Sequence, residues 1–107
     1  MGLKKLGSSS PVANTETDLY VVPNGTQTVI SSIFVCNRGN TVALFNISHT
    51  VGGGPTQNND YLYFQLEISP YDTFIVTAGI TASGNDIIRV ESNSNNLSFN
   101  IYGEEIQ

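Results

Sequence analysis

The residue types that could make a nucleophile and its base are a thiol and an imidazole, and this chain has one of each, Cys36 and His49. A thiolate is productive when a base stands within about 3 Å of it. The spacing argues against that here. Asn37-Arg38-Gly39-Asn40 reads as a turn between two apolar runs, because Asn and Gly tolerate positive φ. A hairpin across that turn sets Cys36 opposite Ala43 and His49 opposite Ile30, leaving the two side chains about 20 Å apart at about 3.3 Å per residue. Cys36 then reads as a small core residue and His49 as a polar strand-end residue.

Nine carboxylates are present: Glu16, Asp18, Asp60, Glu67, Asp72, Asp86, Glu91, Glu104 and Glu105. Paired carboxylates for glycoside hydrolysis meet in space, not in sequence, but each of these sits near a strand end or turn. Calcium would need several oxygens from one loop. Asn58, Asn59 and Asp60 offer some of them, in the longest stretch without strand character, Gly52 to Asp60. A phosphate cradle would also need a following helix and a lysine. The expectation is therefore no enzyme, no metal and no cofactor. The loop reads as a mobile surface loop, or alternatively as a contact loop (Gly52, Gly53, Gly54, Asn58, Asn59, Asp60) that orders on a partner. Tyr61 and Tyr63 alternate with apolar residues and are expected to point outward, where tyrosine gives contact area with a polar tip. Tyr20, Tyr71 and Tyr102 could join them. Such a face suits a protein interface or a sugar. Sequons begin at Asn24, Asn46 and Asn96 and read as chance matches.

The elements that must position these residues are strands. With 107 residues one domain is expected. Charged residues make up only 12%, about half the usual share, and polar uncharged residues fill the gap. Net charge is −5, and the basic residues are only Lys4, Lys5, Arg38 and Arg89. That excludes the clustered lysine and arginine that hold phosphate backbones, so neither nucleic acid nor an anionic membrane is an expected partner. One cysteine precludes an intrachain disulfide. No apolar run follows the N-terminal lysines, so no signal peptide is expected, and no run approaches the about 20 residues of a membrane helix.

Helical periodicity is absent, and the apolar residues fall in short β-rich runs between Gly, Pro and Asn. These runs are Leu19–Val22, Thr26–Asn37, Val42–Val51, Tyr61–Ile68, Tyr71–Ala78, Ile87–Ser92 and Leu97–Glu104. They predict an all-β, two-sheet antiparallel β-sandwich, jelly-roll-like, with seven strands, or eight if the second run bends between sheets. Alternation turns Leu62, Phe64, Leu66 and Ile68 inward, with Phe74, Val76, Ile88, Val90, Leu97, Phe99 and Ile101. Phe64, Phe74, Phe99 and Ile101 are expected to share the core. In Ile33-Phe34-Val35-Cys36 both faces are apolar, so both should be covered. The domain is placed at residues 17–107, preceded by an extended N-terminal arm, residues 1–16. Leu3, Lys4, Lys5 and Leu6 are the arm's anchors, needing either the chain's own sheet edge or a neighbour's, with Glu104 and Glu105 as counter-charges.

Several segments together look familiar: TETDLYVVPNGTQTVISSIFVCNRG, DYLYFQLEISPYDTFIVTAGITASGNDIIRVES and NLSFNIYGEEI. They resemble small β-sandwich virion structural proteins of tailed bacteriophages, through the Leu-Tyr-x-Val-Pro, Val-Cys-Asn-Arg-Gly, Asp-Thr-Phe, Asp-x-Ile-Arg-Val and Asn-Leu-Ser-Phe motifs. The likeness runs from Leu3 to Glu105, and its motifs carry no chemistry. It implies a structural component of the virion, on the outer surface of capsid or tail. A capsid decoration or cement protein is the first expectation. A tail, neck or baseplate fibre component, or a carbohydrate-binding attachment module, is the alternative. Implied partners are major capsid or tail proteins and further copies of the chain, a trimer being one arrangement, with a surface glycan under the attachment reading.

Overall fold

The structure, a computed structural model, describes residues 2–77 and 79–107. It contains nine strands: β1 (Lys4–Ser9), β2 (Thr17–Val21), β3 (Gln27–Asn37), β4 (Ala43–Thr50), β5 (Tyr61–Ile68), β6 (Thr73–Val76), β7 (Ile80–Ser83), β8 (Ile87–Ser92) and β9 (Leu97–Ile106). All pairings are antiparallel. One sheet runs β1-β9-β3-β6, with β7 also on β3, and the other runs β2-β8-β4-β5. With β7 set aside, the first strand pairs the last, the second the next to last, and so inward to β4 with β5. A single antiparallel ribbon has been rolled up, the jelly-roll-like sandwich.

This winding corrects the expected hairpins. β3 and β4 lie in different sheets, as do β2 and β3, β5 and β6, and β8 and β9. Each of those turns is an arch across the sandwich. Asn and Gly supply the reversal in either case, and only the side-chain faces decide whether the returning strand pairs in plane or packs opposite. The second run does not bend between sheets. β3 stays on β9 from Gln27 to Asn37 and exchanges β7 for β6 along its other edge. The strand Ile80–Ser83 was not expected. The fifth predicted run shortens to Thr73–Val76, and its last residue, Ala78, lies outside the described residues.

The core holds Phe45, Phe99, Ile30, Ile33, Ile47, Ile88, Leu97, Ile101, Val22, Val35 and Val90, all essentially inaccessible. Phe45 packs edge-on to Phe99 at 6.1 Å and tilted against Phe74 at 5.8 Å. Bulges reset the alternation. In β3 the pairing to β9 slips between Ile30 and Ser32, so even positions (Thr28, Ile30) face in before it and odd ones (Ile33, Val35, Asn37) after it. One extra residue turns every later side chain over.

The same device overturns the facing of β5. Leu66 lies opposite Phe45 and Tyr63 opposite Ile47, so the strand gains a residue between them. Gln65 takes φ 54°, and its N–H donates to Asn46 Oδ1 at 2.7 Å. Leu66 and Ile68 face in as expected, whereas Leu62 and Phe64 are exposed, Phe64 at 63%. Tyr63, expected outside, packs edge-on to Phe74 at 5.5 Å and joins the rim of the core.

Candidate functional site

Cys36 and His49 are separated by the winding, one in each sheet. Cys36, expected in the core, lies on the outer face of the first sheet between Thr73 and Ser98. There it lines a shallow concavity of about 430 Å³ with Phe34, Thr73, Asn100 and Tyr102. The apolar outer face of β3 is therefore only half covered, with Tyr102 edge-on to Phe34 at 5.7 Å. His49 pairs with Ile88 across the ladder, and its Nε2 stands 2.9 Å from Asp86 Oδ2. Asp86 also accepts the N–H groups of Gly52 and Ser83, both at 3.0 Å. Burial works to raise the Asp86 pKa, but the His49 bond and the two N–H donors outweigh it and hold the carboxyl below its usual value. The cluster ties the loop after β4 to the turn before β8. Among the described residues no three of His, Cys, Asp and Glu converge as metal ligands would.

The N-terminal segment, expected as an extended arm needing the chain's own sheet edge or a neighbour's, contains the edge strand β1, which pairs with the chain's own β9 from Lys4–Gly103 to Ser9–Phe99. Leu6 is the extra residue of a bulge and packs against the core. Gly103 makes its seat, since a Cβ there would collide with the Val29 carbonyl oxygen and come within 3.0 Å of Leu6 Cδ1. Leu3 stays 69% exposed. Lys4 Nζ reaches Glu105 Oε1 at 2.9 Å. Glu105 in turn accepts the hydroxyl proton of Tyr20, whose oxygen is 2.9 Å from Thr28 Oγ1. Tyr20 is thus buried, not a surface tyrosine. Burial first, then the Glu105 bond, pushes its pKa up to about 12. The Tyr20 bond, then that of Lys4, holds Glu105 below its usual value.

Tyr61 sits opposite Ser48 on the outer face of the second sheet and packs edge-on to Phe64 at 4.9 Å. With Asn58 the two rings line a concavity of about 410 Å³. Burial, then the charges of Glu16, Glu91 and Asp60, raises the Tyr61 pKa. Tyr71 is exposed at a turn with φ 59°, and Tyr102 lies on the other sheet, so the tyrosines form no common face. The loop from Gly52 to Asp60 is a built structure, not a featureless one. It has one-turn 3₁₀ helices at Val51–Gly53 and Asn58–Asp60. Gly52 and Gly53 take φ near +80°, a region open to glycine. Asp60 Oδ2 accepts from Gln57 N at 2.8 Å and Thr50 Oγ1 at 3.2 Å, so part of the oxygen set offered to calcium is already engaged. Arg89 closes the loop, donating to Gly54 O and Thr56 Oγ1 while bridging Asp18 Oδ1 at 3.0 Å.

At the opposite end Asn37 and Arg38 join three arches. Asn37 Nδ2 donates to the carbonyls of Thr41, Ile68 and Ser69, and its Oδ1 accepts from Gly39 N. Arg38 donates to Ser98 Oγ, Ser10 Oγ and the Asn95 carbonyl. These roles of Asn37, Arg38, Asp86 and Arg89 were not visible in the sequence, because each also has partners that are remote along the chain. The only signal lay in the quoted motifs, Asn37 and Arg38 in Val-Cys-Asn-Arg-Gly and Asp86 and Arg89 in Asp-x-Ile-Arg-Val. Lys5 forms no ion pair among the described residues.

No family model matches the chain, and no curated protein matches it. Among solved structures, the fold is similar to a chain in the acidic stable capsid structure of the Helicobacter pylori bacteriophage KHP30. The TM-score is 0.53 at 17% identity, over 99% of this chain and 92% of that one. At that identity the likeness is one of fold.

Proposed function

We propose that this chain is a structural protein of a bacteriophage particle, a decoration or cement subunit on the outer surface of the capsid. The observation that carries the reading is the end-to-end match in fold to a chain of a phage capsid structure, with almost nothing left over on either side. The sequence motifs that resemble phage virion proteins point to the same class. The surface agrees with a role in protein contact. Leu62 and Phe64 are exposed on β5, Ile75 on β6 and Leu3 just before β1, apolar residues that a protein contact would cover.

The test is made on particles banded by density from lysates in which the chain is expressed. Mass spectrometry should find it in a fixed ratio to the major capsid protein, and a cryo-EM map should place a two-sheet density on the capsid exterior. A chain expressed in the lysate but missing from banded particles overturns the reading. Density confined to tail, neck or baseplate moves it to the alternative location. The attachment reading has one observation in its favour, the Tyr61–Phe64 concavity with Asn58 beside it, since aromatic rings and amides together suit a sugar.

A further inference from the structure

We propose that the chain associates with a second copy of itself head to tail, the Leu3–Lys5 end of one copy docking on the Tyr61–Phe64 shelf of the next. The two surfaces are complementary in charge. At the end Lys4 is already held by Glu105, so the charge it offers is that of Lys5, which forms no ion pair among the described residues. Glu16, Asp60 and Glu91 lie close enough to Tyr61 for their charges to act on it, and Arg89 is already bridged to Asp18. They are also complementary in apolar surface. Leu3 is 69% exposed at the end, and Phe64 is 63% and Leu62 42% exposed at the shelf.

Topology keeps them apart within one molecule. β1 closes one side of the first sheet and packs over β2, and β5 closes the far side of the second. A surface on one flank therefore meets its complement only on another copy. Two copies of a chain with net charge −5 repel each other in most orientations. This orientation sets Lys5 against the acids. The contact is heterologous, so it builds a ring where the rotation closes and an open chain where it does not. A sugar on the shelf would leave Leu3 uncovered, which is why a second copy is preferred. The inference goes beyond the virion reading and does not require it.

The test uses two variants of the full chain, each altered on one surface. Leu3→Ser with Lys5→Glu removes the end and keeps the shelf. Phe64→Ser with Glu91→Lys removes the shelf and keeps the end. All four residues lie outside the core, and circular dichroism verifies that both variants remain folded. By light scattering the wild type should associate with rising concentration, and each variant alone should be monomeric. Their mixture should double in mass, to a one-to-one dimer that grows no further, because one intact end meets one intact shelf. Lys5→Glu and Glu91→Lys combined in one chain should regain association that either alone has lost. A wild type that stays monomeric, variants that assemble like it, or a mixture that stays monomeric overturns the proposal. So does a monomeric wild type whose shelf binds glycans on an array and loses them on Phe64→Ser. A chain that is monomeric in solution yet present in banded particles sinks this inference and leaves the capsid reading standing.

Discussion

Phe99 and Phe64 have the same side chain and opposite positions. Phe99 is sealed between Phe45, Val35 and the inner faces of both sheets, whereas Phe64 is carried outward by the bulge beside it. Phe99→Ala should cost about 3–5 kcal/mol, as aromatic truncations in a core do, and Phe64→Ala should stay within about 0.5 kcal/mol. Urea unfolding of the two variants checks both. Titration at single residues sets a second expectation. Asp86 and Glu105 lie below their ordinary values of 3.8 and 4.5, so the unfolded chain takes up these protons more readily than the folded one. Their contribution is complete above that range and is lost as pH falls through the lowered values. Tyr20 runs the other way. Its pKa rises from 10.0 to about 12, so its contribution is complete below pH 10 and is lost as pH climbs between the two values. The urea midpoint followed against pH should fall at both extremes. Asp86→Asn with Glu105→Gln should flatten the acid limb, and Tyr20→Phe the alkaline one.

Among the elements, β5 depends most on one contact. Its extra residue holds positive φ at Gln65 because Asn46 Oδ1 accepts both the backbone N–H and the side-chain amide, at 2.7 and 3.2 Å. Asn46 is 6% exposed, so its loss strands a half-buried donor. Asn46→Ala should cost about 1–3 kcal/mol, the penalty of a polar group left unpaired. Hydrogen exchange should quicken at residues 62–66 and leave β9 unchanged. Uniform exchange across the molecule would mean that the bulge is held by packing and not by Asn46. Had this contact been legible, Tyr63 and Phe64 would have been assigned to their correct sides. The residue types gave no sign of it, since Asn46 stood in the sequence as a sequon and a strand residue.

For the whole molecule the question is what β1 adds. It covers the β9 edge, seats Leu6 over Gly103 and receives Arg38 through Ser10. The fully buried core residues all lie on or beside the other strands, with Leu6 packed against them. Removing residues 1–10 should leave a folded sandwich with a lower urea midpoint and a bare β9 edge, and an uncovered edge pairs with other chains. Lys4→Ala with Lys5→Ala should disturb folding far less, because an exposed ion pair contributes about 0–1 kcal/mol. Thermal unfolding together with light scattering distinguishes the two. A truncated chain as stable and as dispersed as the full one would show that β1 is dispensable to the fold.

The sequence by itself determined seven of the nine strand segments, all but β1 and β7, and where the chain reverses. Tyr61–Ile68 and Ile87–Ser92 were bounded correctly, and the inward residues of β8 and β9 followed from alternation. Those properties are local: β-branched and aromatic runs, and Asn, Gly and Pro where φ must change. The tertiary structure alone decided which sheet each strand joins, which way β5 faces past Gln65, and that β1 closes on β9. Partners in those cases stand far apart in sequence, as with Lys4 and Gly103 or Asn46 and Gln65. A turn residue fixes a reversal but not its plane, and a bulge is set by the strand alongside it. Both were settled only when the two sheets closed over one core.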